Sequence, residues 1–182
     1  LDRRAVVSIL WNGFVAGPIT AVAGIEPLGP GEHWISDRGQ APVRTRYWSM
    51  PRGGESPPAS EEELRAVLRD SVARHLVSDV PVGVFLSGGI DSSAVAAMAQ
   101  QANHTPVHTF TLTFDEAEYD EAAAARAVAG AIGTEHREIR LTEHDFASAL
   151  DTAVDTIDQP TFDGLNSYYI SRAVREAGLT VA

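Results

Sequence analysis

The residues best placed by type and spacing to do chemistry are Ser87-Gly88-Gly89-Ile90-Asp91-Ser92-Ser93. Adjacent glycines let a backbone come close to an anion, and N–H groups at a helix start point at it. The hydroxyls of Ser87, Ser92 and Ser93 add donors of suitable reach. Asp91 would repel a bare phosphate, so a carboxylate inside such a turn points to a divalent cation between them, as in a magnesium–nucleotide complex. The competing reading is a Gly-Ser turn that caps a helix, with Asp91 near the positive end of its dipole. The common P-loop needs a lysine after its last glycine. All basic residues here are arginine, so that loop is excluded. The dinucleotide fingerprint G-x-G-x-x-G is absent from this turn as well.

Such a loop needs a strand before it and a helix after it. Residues 82–86 (Val-Gly-Val-Phe-Leu) form a short apolar run that predicts a buried strand. Residues 93–101 are Ala-rich, with Val95 and Met98, and predict a helix packed on that strand. Upstream, Ser60-x-x-Glu63 is a capping box, and Leu64, Val67, Leu68, Val72 and Leu76 follow at helical spacing. This helix is expected to lie on the sheet and to stop before Pro81. Downstream, residues 107–114 predict a second strand and 121–132 a helix ended by Gly133. A brief strand at 138–141 and helices at 146–157 and 165–177 follow, and a further strand starts at Leu179. This alternation predicts an α/β fold, a parallel sheet with helices on both faces.

Residues 1–50 read differently. A short apolar segment at 5–11 precedes frequent Gly and Pro, then two strands around the turn Asp37-Arg38-Gly39-Gln40. Residues 51–58, Pro-Arg-Gly-Gly-Glu-Ser-Pro-Pro, have linker chemistry. The first residue is Leu1 rather than Met, which predicts that the chain starts inside a longer protein, and no leader or membrane-spanning run is legible. Cysteine is absent, so disulfides, cysteine-based zinc sites and a cysteine nucleophile within this chain are excluded. A net charge of −11 without a basic stripe argues against a nucleic-acid partner. The six histidines show no metalloprotease spacing and are expected at the surface or at strand edges. The acidic run Asp115, Glu116, Glu118, Asp120 and Glu121 is expected mainly to complement a helix dipole.

The string Ser87-Gly88-Gly89-Ile90-Asp91-Ser92 matches the S-G-G-x-D-S pyrophosphate loop of the ATP pyrophosphatase superfamily. The longer string 78–93, with 115–121 and 158–182, resembles glutamine-hydrolysing asparagine synthetases. The resemblance implies an adenine nucleotide α-hydrolase-like (PP-loop) domain at 59–182, truncated at its C-terminal end. Residues 1–50 would then be the β-rich, C-terminal remnant of a glutamine amidotransferase domain. It implies ATP and magnesium as cofactors, aspartate and glutamine-derived ammonia as substrates, a cytoplasmic setting, and a homodimer in the full-length protein. It implies that Ser87, Gly88, Gly89, Ser92 and Ser93 hold pyrophosphate and that Asp91 holds the magnesium. Phe85, Leu86 and Leu112 would contact the nucleotide, the adenosine falling to Phe85 and Leu112. No catalytic residue is assigned. A second motif of such synthetases, S-G-x-G-x-D-E, would follow Ala182, so the chain alone is expected to be catalytically incomplete. A sibling ligase, such as a β-lactam-forming or peptide-modifying synthetase, would share the loop, and so would a non-catalytic nucleotide-binding module. The loop formed by Asp158 and the residues up to Asn166 is expected near the phosphate loop.

Overall fold

The computed structural model describes residues 1–52, 58–115 and 121–182. They form two compact units: Leu1–Pro58 with Ile157–Gly164, and Ala59–Thr156 with Leu165–Ala182. The centre of the expected linker, 53–57, lies outside the described residues, and so do Glu116, Glu118 and Asp120 of the acidic run.

The first unit opens with a helix, α1 (Arg3–Asn12), where the sequence suggested only an apolar segment. Asp2 caps it by accepting from Arg4 N at 2.8 Å, and it pairs with the Arg4 guanidinium at 2.7 Å. These bonds pull the Asp2 carboxyl down to a pKa of about 2. The buried Ser8 hydroxyl donates to Phe14 O and accepts from Ala16 N, both at 2.9 Å, which turns the chain back onto the helix. Strands β1 (Glu32–Ile35) and β2 (Val43–Arg46) pair antiparallel, and Arg44 lies 4.0 Å from the Trp34 ring centroid. The apolar centre is small: Ala5, Val15 and Ala21 with Ile9 and Ile19.

The second unit starts with α2 (Glu61–His75). Its capping box forms as expected: Ser60 Oγ accepts from Glu63 N at 3.2 Å, and Glu63 accepts from Ser60 N at 2.8 Å. There follow β3 (Gly83–Phe85), α3 (Ile90–Ala102), β4 (His108–Thr113), α4 (Ala122–Ile132), β5 (Glu135–Arg140), α5 (Glu143–Thr156) and α6 (Gly164–Glu176). The three strands run parallel in the order β3-β4-β5, and Val181 pairs beside Val82 on the far edge of β3.

Register decides which residues share a face. Val84 is opposite Thr109 and Phe85 opposite Phe110, while Leu112 is opposite Ile139. One face carries Val84 and Leu86 against Ala96 of α3 and Ala125 and Ala129 of α4. The other carries Phe110 against Val174 of α6 and Leu179, and Leu112 against Ala149, Ala153 and Tyr169 of α5 and α6. The expected α/β architecture with helices on both faces is therefore present. Small alanines let α3 and α4 sit close to the sheet. Phe110 is fully buried, which contributes about 1.5–3 kcal/mol. It fits because Gly83 has no side chain: a Cβ there would lie 2.8 Å from its ring.

Several expectations change. α2 does not bury its apolar stripe; it packs on α3, and Leu64, Val67 and Leu68 are exposed. β5 starts three residues before the expected strand, and α5 starts three residues before the expected helix. His136 stands on the edge strand β5, one of the two places expected for it, but is nearly covered there. Its side chain is only 9% exposed, and Nδ1 lies 3.0 Å from the buried Thr109 hydroxyl, which also meets Thr134 Oγ1 at 2.9 Å. Burial holds its pKa below the ordinary value, opposed by the nearby Glu138 carboxylate. Among the described residues no helix is long and apolar enough to cross a membrane.

Candidate functional site

The chain leaves β3 at Phe85 and enters α3 at Ile90, so the turn that could bind phosphate lies at the carboxyl end of the sheet. Leu86 anchors its entry: its N–H donates to Phe110 O at 2.8 Å, and its carbonyl accepts from the buried Thr111 hydroxyl. Next, Ser87 N donates to Ser92 Oγ at 3.2 Å, and the two hydroxyls are 3.0 Å apart. Gly89 N donates to Ser87 Oγ at 3.3 Å, and Ser92 Oγ donates to Gly89 O at 3.3 Å. The two serines thus brace the loop from within and hold their hydroxyls together at its mouth.

Gly88 makes the turn possible. Its φ of +82° is left-handed, and a Cβ there would lie 2.7 Å from Ala124 Cβ and 2.9 Å from the α4 backbone. Gly89 is the N-cap of α3 and offers no side-chain cap. The first N–H groups of a helix have no intrahelical acceptor, so those of Ile90, Asp91 and Ser92 are available to an anion.

A cavity of about 260 Å³ opens beside this loop. Leu86, Ser87 and Ser92 line it from the loop. Phe85, Phe110, Thr111, Leu112 and Phe114 form its body, and Glu121, Asn166 and Ile170 complete it from the start of α4 and from α6. Of the residues singled out in the sequence, Phe85, Leu86, Ser87, Ser92 and Leu112 meet at this cavity. Gly88 and Gly89 shape the turn without lining the cavity. Asp91 is exposed on the first turn of α3. Ser93 is drawn inward, and its hydroxyl is buried with no partner among the described residues.

Of the stretch from Asp158, only Asn166 reaches the cavity; residues up to Gly164 group with the first unit. Asp115 is held by Arg140 at 2.6 Å, a structural pair. Glu121 occupies the N-cap position of α4 without capping it, and faces the cavity instead. The roles of Phe110, Phe114 and Ile170 were missed, although the alternation Phe110, Leu112, Phe114 was legible as one strand face. Among the described residues no three His, Asp or Glu side chains cluster as a metal centre. Magnesium held mainly by phosphates and water, with one or two carboxylates, needs no such cluster, so Asp91 and Glu121 fit that donor set.

The family model described as asparagine synthase matches residues 63–182. The chain belongs to the asparagine synthase family. It is 32% identical over 184 residues to "Asparagine synthetase [glutamine-hydrolyzing] 3" of Bacillus subtilis, an alignment covering 92% of this chain and 30% of that protein. It is 36% identical to a Mycobacterium tuberculosis protein named as a candidate synthetase of the same kind, across 97% of this chain and 28% of the relative. It is also 32% identical to the amidase chyE of Penicillium rubens, over 89% of this chain and 27% of that protein. The chain therefore spans under a third of the length of each of these relatives. Among solved structures, an ammonia-dependent NAD synthetase from Campylobacter jejuni is 18% identical, with a TM-score of 0.46 over 65% of this chain and 52% of that one.

Proposed function

We propose that this chain carries the nucleotide-binding part of an ATP-dependent amide-forming ligase that makes asparagine from aspartate with ammonia released from glutamine. The observation that carries this reading is the Ser87–Ser92 turn, braced by its own hydroxyls and followed by an uncapped helix N-terminus, beside an apolar cavity. Family membership supports ATP as the energy source.

In this reading the aspartate side-chain carboxylate attacks the α-phosphate, forming an O–P bond as the bond to the β-phosphate breaks. Pyrophosphate departs into the loop. The free backbone N–H groups at Ile90–Ser92 stabilise its growing charge, and the hydroxyls of Ser87 and Ser92 turn from each other toward it. Ammonia then attacks the acyl carbon, AMP leaves, and a proton passes to solvent. Magnesium, held by Asp91 and the phosphates, would neutralise charge on the leaving group. Ser93, with its hydroxyl turned inward, acts through the packing of α3. Phe85, Leu86 and Leu112 hold the nucleoside end. Residues 1–50 are read as the end of a glutamine amidotransferase domain, 51–58 as the joint, and 59–182 as the synthetase portion. The whole enzyme is read as a cytoplasmic homodimer without a nucleic-acid partner.

The test uses the longest reading frame that encodes this chain, supplied with ATP, magnesium, glutamine and aspartate labelled in its side-chain carboxylate oxygens. AMP, pyrophosphate and asparagine are expected, with one label transferred to AMP. ADP and phosphate as products would overturn the reading. One second reading is the same activation chemistry on another carboxylate, as in a sibling ligase that shares the loop. Label transfer from a different acid, with none from aspartate, would select it.

A further inference from the structure

We propose that Asn166 selects the nucleobase, reading the amino and ring-nitrogen edge of adenine. The inference rests on the nucleotide reading of the cavity and names a residue that sets its specificity.

The body of the cavity suits a flat neutral ring. Phe85 and Phe110 are register partners on one sheet face, and Phe114 continues that face past the end of β4. Ile170, one helical turn from Asn166, closes the slot from α6. Glu121 is the one charged lining residue, and no arginine lines the cavity among the described residues. An amino acid acceptor with two carboxylates would find no cation there, and burying an unpaired charge is costly. A heteroaromatic base needs none.

The Asn166 carboxamide has no protein partner among the described residues, so it is available to a ligand. A carboxamide offers one donor and one acceptor side by side. Adenine presents the matching pair, the N7 acceptor and the N6 amino donor; guanine presents two acceptors on that edge. Phosphates held on the turn at Ser87 and Ser92 leave the base to the other lining residues, the aromatic rings and Asn166 among them. The cavity of about 260 Å³ has room for one base.

The test is calorimetric titration of ATP, GTP and pyrophosphate into the wild-type protein, Asn166→Leu and Asn166→Gln. Circular dichroism checks that each variant is folded. The wild type is expected to prefer ATP over GTP by roughly ten- to a hundredfold, the worth of one bidentate base contact. Asn166→Leu should bring the two within about threefold and leave pyrophosphate affinity unchanged, while Asn166→Gln regains part of the preference. An unchanged ATP-to-GTP ratio in Asn166→Leu would overturn the role of Asn166 alone, since pyrophosphate binding would still stand. A wild type that binds neither ATP nor pyrophosphate would overturn the nucleotide reading itself.

Discussion

Replacing Gly88 by alanine should disable the loop through backbone geometry, with no polar group removed. A left-handed conformation costs a non-glycine residue about 1–2 kcal/mol. Gly88 sits at φ +82°, so alanine would carry that cost. The new methyl group would also lie 2.7 Å from Ala124 Cβ and 2.9 Å from Ala124 C and Ala125 N. Two of those atoms are α4 backbone and cannot rotate away, so either the loop or the helix must shift. Overpacking of that kind adds about 1–3 kcal/mol. The total, about 2–5 kcal/mol, is a large part of the 5–15 kcal/mol that holds an ordinary domain together. The assay is urea unfolding with pyrophosphate binding measured on the same preparations. Gly130→Ala is the control, because Gly130 lies within α4 and a Cβ there meets nothing within 4 Å. It should gain about 0.5–1 kcal/mol. If Gly88→Ala is as stable as the wild type and binds pyrophosphate equally, the close approach of loop and helix is wrong.

Three further outcomes follow from the same geometry. Ser92→Ala removes the acceptor for Ser87 N and the hydroxyl beside Ser87 Oγ; pyrophosphate affinity should fall roughly ten- to a hundredfold, read by calorimetry. Thr111→Val keeps the shape but leaves the buried Leu86 carbonyl without its side-chain donor; a loss of about 1–3 kcal/mol is expected in urea unfolding. His136 has a folded pKa below its ordinary value of 6.5 because burial disfavours its cation. Its stabilising contribution is therefore full above pH 6.5 and is lost as pH falls from 6.5 toward the depressed folded value. His136→Gln should flatten that part of the stability–pH curve, and an unchanged slope would show that His136 is not buried as described.

Much of the second unit was legible because each signal was local. The apolar run before Ser87, the Ala-rich stretches and the capping box at Ser60 each report on a few neighbouring residues, and each formed the expected element. What failed was long-range. Helical spacing in α2 shows that one face is apolar but not what covers it, and Leu64, Val67 and Leu68 stay exposed. The burial of His136 depends on its β4 partner, Thr109, which no spacing along the chain reveals. β5 begins with Glu135, His136 and Arg137, polar residues that mask a strand, yet an edge strand tolerates them. The early start of α5 did have a signal. Thr142 and Asp145 exchange capping bonds at 3.1 and 3.2 Å, and that spacing could have been read in the sequence. At the site, the loop was readable as a contiguous motif. Asn166 closes the stretch from Asp158 that was expected near the phosphate loop, but that it alone of that stretch reaches the cavity, through α6, required the fold.

The most direct test of the central claim is calorimetric titration of ATP, with magnesium and with a chelator, into the wild-type protein, Asp91→Ala and Ser92→Ala. Magnesium-dependent binding is expected, weakened in both variants and most sharply in Asp91→Ala when magnesium is present. Binding that is the same in all three proteins and indifferent to the chelator would contradict the assignment of the Ser87–Ser93 turn as a magnesium–nucleotide site.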